Sequence, residues 1–239
     1  MPGYMMHLAE AKLILKEHYG KMISHLDADW CNAFYLGALL PDTKPRGTKG
    51  GSHFWRKEDY FMLARAPYLP GFLEIYQKQL GNPTVLGYLA HLHLDACYVK
   101  QYWPSAFAFY NDAGESETAY DKVTKVELLK NGQVIDRAEF FSDAYYYGDY
   151  SRLNAYFRKR YGVVLPEYPS GKPLDVPIDQ VQEKELGDVL AELQGYLQEP
   201  VLEDGMYLRT MRAEDLEQFL EQSAKKFAGE YGWCLPKQS

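Results

Sequence analysis

The sequence predicts a mainly α-helical protein with a small β-hairpin. Three observations carry that prediction. Apolar residues recur at helical spacing through most of the chain, bounded by caps and prolines. One Asn-Gly pair, Asn131-Gly132, lies between runs rich in Val, Leu and Ile. Stretches rich in glycine and proline, TKPRGTKGG and LPEYPSGKPLDVP, fall between helical stretches.

From about Tyr4 to Tyr19, Leu8, Ala11, Leu15 and His18 form one stripe, and Gly20 ends it as a C-cap. Asp27 is the expected N-cap of a second helix, WCNAFYLGALL, which must stop before Pro41. The stretch TKPRGTKGG then reads as a loop. Ser52 is expected to cap a third helix running from His53 to just before Pro67. A shorter helix follows over about Gly71 to Leu80. Pro83 suits the first turn of a long helix, PTVLGYLAHLHLDACYVKQYW, closed by Pro104. The hairpin is expected around residues 123–141, with a short helix as the alternative. SRLNAYFRKRYG predicts a further helix with a glycine stop, its basic last turn suiting the helix dipole. After the proline-rich connector LPEYPSGKPLDVP come two amphipathic helices. The first carries Val181, Leu186, Val189, Leu190 and Leu193; the second carries Leu216, Phe219, Leu220 and Phe227. This organisation predicts a helical domain over residues 1–165, with a hairpin insertion at 112–145, and a C-terminal helical extension over 166–239 packed on the same core.

The 239 residues are 46% hydrophobic and carry a formal charge of −7, which argues for a folded globular chain and against duplex nucleic acid as partner. Cys31, Cys97 and Cys234 are far apart and show no paired-cysteine spacing, so small buried thiols in a reducing compartment are expected. No apolar run is long enough for a membrane span, and the N-terminal stretch lacks a basic start and a clean apolar core. A cytoplasmic protein is the expectation. The acidic C-terminal helices leave open a homo-oligomer.

All six histidines, His7, His18, His25, His53, His91 and His93, fall in the first 93 residues. HLHLD places His91 and Asp95 four residues apart on one helical face, so both can address one ion. His93 points elsewhere. Asp42 follows a helix in ALLPD, His53 stands in GSHFW and His7 in PGYMMHLAEA; each offers a donor that zinc accepts. His18, His25 and His93 read as structural or surface groups. The chain lacks HExxH, GxSxG, an adjacent His-Asp dyad and a phosphate-binding loop, which disfavours metalloproteases, serine hydrolases and kinases.

Taken in order, MPGYMMHLAEA, FYLGALLPD, SHFW and GYLAHLHLD resemble the zinc-dependent phospholipase C family, related to zinc nucleases that cleave 3′-phosphates and single strands. The resemblance covers about residues 1–100. It implies a phospholipase C/P1 nuclease-like helical bundle, with His7, Asp42, His53, His91 and Asp95 as metal ligands and Asp95 bridging two ions. It also implies a zinc-dependent hydrolase of a small phosphoester or phospholipid-like substrate, with Asp42 and Asp95 in catalysis. The family's third ion uses histidines after the HxxxD pair. None follows His93 here, so one or two ions are expected, zinc first and other divalent transition metals also admissible. Asp143 and Asp149 are further candidate carboxylates. Asp149 is equally suited to cap a helix, and either Asp42 or Asp149 could be a general base. The competing reading is a non-enzymatic helical scaffold with a structural or degenerate metal site, serving in partner binding. Aromatic runs such as YWPSAFAFY and YYYGDY fit either a core or a cleft.

Overall fold

The fold was analysed as a computed structural model, which describes residues 2–43, 49–168, 174–175, 178–181, 185–198 and 207–236. Helices dominate. In chain order they are α1 (Tyr4–Tyr19), α2 (Ala28–Gly37), α3 (Leu69–Tyr76), α4 (Pro83–Cys97), α5 (Trp103–Ala106), α6 (Arg137–Phe140), α7 (Tyr146–Tyr161), α8 (Leu186–Gln198) and α9 (Ala213–Tyr231). Three strands, β1 (Phe107–Tyr110), β2 (Lys125–Leu128) and β3 (Gln133–Asp136), form one antiparallel sheet in that order.

α4 is the axis of the molecule. Every residue from Thr84 to Cys97 is buried, as apolar residues on all its faces demand. Asn82 caps it through its side chain to the Thr84 and Val85 amides, and Pro83 occupies the first turn. α1, α2, α3 and α9 pack around it. The crossing with α2 is unusually close because both helices present glycine there. A Cβ on Gly37 would stand 2.2 Å from the Thr84 carbonyl oxygen, and one on Gly87 2.0 Å from that of Phe34. The two backbones touch.

α1, α2, α3, α4, α7, α8 and α9 form where the sequence places helices, with α2 stopping at Gly37 and α8 starting at Leu186, after Val181. Gly162 ends α7 in the left-handed conformation with φ 59°, behind Arg158, Lys159 and Arg160. Four expectations are corrected. The helix from His53 to before Pro67 does not form. Phe54 sits at φ 52°, a left-handed backbone that an α-helix cannot continue through. Its ring meets Phe72, Tyr76 and Tyr88, and the segment beyond pairs instead with residues 118–120. Consequently Ser52 caps no helix. The central helix does not run unbroken to Pro104, because Tyr98–Tyr102 widen into a π turn before α5. The Asn131-Gly132 hairpin forms, but with four loop residues, since Leu128 pairs with Gln133, and β1 adds an unforeseen third strand with Phe107 opposite Leu128. Asp149 caps no helix; it lies in the first turn of α7. Of the predicted loop 43–51, residues 44–48 lie outside the described residues, as does most of the connector 165–177.

Among the described residues, no helix is long and apolar enough to cross a membrane.

Candidate metal centre

Four segments deliver the predicted ligands. α1 brings His7, the turn after α2 brings Asp42, the left-handed turn brings His53, and α4 brings His91 and Asp95. All five side chains are buried, Asp42 being the most open at 8%. His7, His91 and Asp95 form one group whose donor atoms lie within 4.8 Å of one another; Asp42, His53 and His91 form a second. His91 joins the two.

The distances suit a shared small cation. His53 Nε2 is 3.3 Å from His91 Nε2 and 3.5 Å from both Asp95 Oδ2 and Asp42 Oδ1. His91 Nε2 is 3.7 Å from Asp95 Oδ2, and His7 Nε2 is 3.6 Å from Asp95 Oδ1. Donors on a tetrahedral zinc, at metal distances of 2.0–2.1 Å, stand about 3.3 Å from one another.

The surroundings fix the ring orientations. His91 Nδ1 bonds the Ala38 carbonyl at 2.8 Å, which turns Nε2 inward. Ala38 is placed by the glycine-to-glycine crossing one residue away. His53 Nδ1 faces Ser52 Oγ at 3.1 Å and the Lys49 carbonyl at 3.2 Å, so Ser52 supports the ring instead of a helix. Tyr88 Oη donates to the Ser52 carbonyl and ties that turn to α4. The His7 and His91 rings stack at 3.6 Å with planes 6° apart.

Electrostatics keep the donors ready. Burial lowers His7 to about 3 and His91 well below its ordinary value, with neighbouring imidazoles adding to it, so both rings are neutral at physiological pH. Burial pushes Asp42 upward, but His53, His91 and Lys49 outweigh it and hold the carboxyl well below its usual range. Asp95 goes the other way, up to about 7, because burial is opposed only partly by His53 and Asp42 adds repulsion. Among the described residues, neither oxygen of Asp95 and neither ring nitrogen of His7 has a hydrogen-bond partner. Buried polar atoms left that way are rare and costly. A cation between Asp95 and His7 Nε2 would satisfy the carboxylate and that ring nitrogen.

On one side the cluster meets a cleft of about 1630 Å³, whose lining includes Asp42, Lys49, Tyr4, Tyr98, Tyr146 and Tyr150. The hydroxyls of Tyr98, Tyr146 and Tyr150 bond one another at 2.6–3.2 Å. The π turn directly after α4 carries Tyr98 into this position, an irregularity often seen at functional sites. Arg65 and Arg137 also line the cleft, stacked on Trp55 and Tyr120 respectively.

Other candidates lie apart. Asp149 is fully buried, but it accepts from the Arg209 and Thr210 amides and from the Thr210 hydroxyl, so both oxygens are committed to anchoring the segment before α9. Neither the ligand nor the general-base role suits it. Asp143 is exposed at the cleft wall. His93 is buried on the opposite side of α4, where Nδ1 faces Glu10 at 3.9 Å, and Ser223 of α9 donates to Glu10. Burial lowers the affinity of His93 for its proton, yet Cys97 and Glu10 prevail and raise it to about 9. His25 is exposed, and His18 abuts Gly232. The sequence reading missed Lys49, which donates to Asp42 Oδ1; nothing in the glycine-rich loop distinguished it from a solvated lysine.

No protein-family model, curated protein or solved structure matches this chain.

Proposed function

We propose that this chain is a metal-dependent hydrolase of phosphoesters, with a phospholipase C-like site and zinc as the preferred ion. The observation that carries the reading is the unsatisfied donor set, Asp95 and His7, enclosed with His53, His91 and Asp42 at ligand spacing beside a cleft. Three imidazoles with two carboxylates favour zinc over calcium or magnesium, which prefer oxygen shells. A divalent ion held there acts as a Lewis acid and makes water nucleophilic near neutral pH. His53, His91 and Asp95 would hold it, with His7 beside Asp95 and Asp42 on the cleft side, where a position stays open for water. Asp42, anionic and facing the cleft, is the group placed to accept a proton from water. Lys49, Arg65 and Arg137 supply positive charge for an anionic substrate, and the tyrosines supply apolar faces with hydroxyl donors.

The burial of His53 and Asp95 favours a second reading, a purely structural ion closed off by protein ligands. The open side at Asp42 and Lys49 weighs against it. The two separate by assay. Zinc-loaded protein should hydrolyse chromogenic phosphate mono- or diesters, and His53→Ala should abolish both metal retention and turnover. Bound metal with no hydrolysis across a broad phosphoester panel would leave the structural reading standing.

A further inference from the structure

The ligand set does not divide evenly between two ions. His91 has one nitrogen free for metal, Nε2, because Nδ1 is committed to Ala38. His53 likewise keeps only Nε2. Each such nitrogen carries one lone pair and serves one ion. An ion seated between these two nitrogens, 3.3 Å apart, takes both. A second ion on the cleft side would have to share Asp42, and a cation already stands there. Lys49 Nζ donates to Asp42 Oδ1, the oxygen that lies 3.5 Å from His53 Nε2.

Charge points the same way. Asp42 and Asp95 together supply two negative charges. One divalent ion and Lys49 leave a single positive charge facing the cleft, a good match for a phosphoryl anion. Two divalent ions and Lys49 would leave three in a nearly dry site, at heavy desolvation cost. Lys49 is 21% exposed and lines the cleft, so its ammonium has one face on Asp42 and another toward an incoming ligand.

We propose that Lys49 stands on Asp42 in place of a second metal ion, so that the chain binds one ion and presents beside it a fixed ammonium for the anionic part of its substrate. This rests on the metal-site reading above. The test is zinc stoichiometry by elemental analysis and chelator competition, with inorganic phosphate binding by calorimetry, on the full chain and on Lys49→Ala and Lys49→Gln, each verified as folded by circular dichroism. One equivalent in the wild type is expected, two at saturating zinc in both variants, and a loss of phosphate affinity of tenfold or more in both when loaded with one equivalent. Two equivalents in the wild type would overturn the proposal while leaving the metal site intact. Variants limited to one equivalent, or binding phosphate as tightly as wild type, would overturn it as well. No zinc in any form would remove the metal reading and this proposal together.

Discussion

The contact between α2 and α4 makes a sharp prediction about Gly87. An added Cβ would lie 2.0 Å from the Phe34 carbonyl oxygen and 3.0 Å from the Ala38 amide nitrogen. Non-bonded heavy atoms of this kind prefer roughly 3.5 Å, so α2 must retreat by on the order of 1.5 Å. The obstructing atoms are backbone and no rotamer change relieves them. Overpacking of this kind costs about 1–3 kcal/mol or more, against a gain of about 1 kcal/mol in helix propensity. Gly87→Ala should therefore lose about 1–2 kcal/mol in urea unfolding of the metal-free protein. Moving α2 also draws the Ala38 carbonyl from His91 Nδ1, and losing such an orienting partner weakens metal binding by about 10–100-fold, measurable by competition with a chromophoric chelator. Among the described residues, nothing lies within 4 Å of the Cβ position of Gly229 in α9, so Gly229→Ala should gain about 0.5–1 kcal/mol with metal affinity unchanged. If Gly87→Ala is stabilised like Gly229→Ala, or binds metal as tightly as wild type, backbone proximity is not what positions His91 and the reasoning fails.

Other predictions follow from the same geometry. Zinc held at the proposed site would need Asp95 as a carboxylate, and burial raises that group to about 7. Affinity should thus rise about tenfold per pH unit between pH 5.5 and 7 and level off above. Because His7 is already neutral there, calorimetry in buffers of different ionisation enthalpy should show close to one proton released per ion at pH 6; an affinity flat from pH 5.5 to 8 would contradict the Asp95 assignment. In the metal-free protein the same two groups oppose each other. Asp95, raised, contributes stability that is lost as pH climbs toward 7, whereas His7, lowered, contributes stability that is lost as pH falls from 6.5 toward 3. Their joint contribution to unfolding should be nearly flat from pH 4.5 to 6, as a double His7→Gln, Asp95→Asn variant compared with wild type would reveal. Asp149→Asn sets an amide NH2 against committed donors and should cost about 2–3 kcal/mol in chemical denaturation, with zinc stoichiometry unchanged; loss of metal would return Asp149 to the site.

Much of the scaffold was legible because it is local. The α4 sequence has apolar residues on all sides, is capped by Asn82-Pro83 and carries only His91, His93 and Asp95 as polar exceptions in its interior turns, so a helix with an inward donor pair was legible within the 15 residues Pro83–Cys97. The clustering of histidines before residue 94 pointed to the same place. What escaped was non-local. Phe54 adopts its left-handed backbone because its ring is claimed by Phe72, Tyr76 and Tyr88, partners 18 to 34 residues away, and that geometry, not a helix, aims His53. β1 pairs with a strand that begins only at Lys125, and its sequence FAFY offers no turn signal linking the two. Asp149 looked like a cap, since its true partners, Arg209 and Thr210, come sixty residues later. Lys49 could not be told from its neighbours in a loop of lysines and glycines until the fold laid it on Asp42.

The packing of α1 on α9 has a temporal meaning. The helix that donates His7 also carries Glu10, whose carboxylate is covered by Ser223 near the other end of the chain. During synthesis the first helix emerges long before the last, and closing so long a loop is slow relative to local helix formation. Assembly of the proposed metal site would then wait for α9. A truncation ending before Ala213 should leave nascent helices with little zinc affinity, and zinc bound tightly by that fragment would show the first ligands assembling without their distant cover.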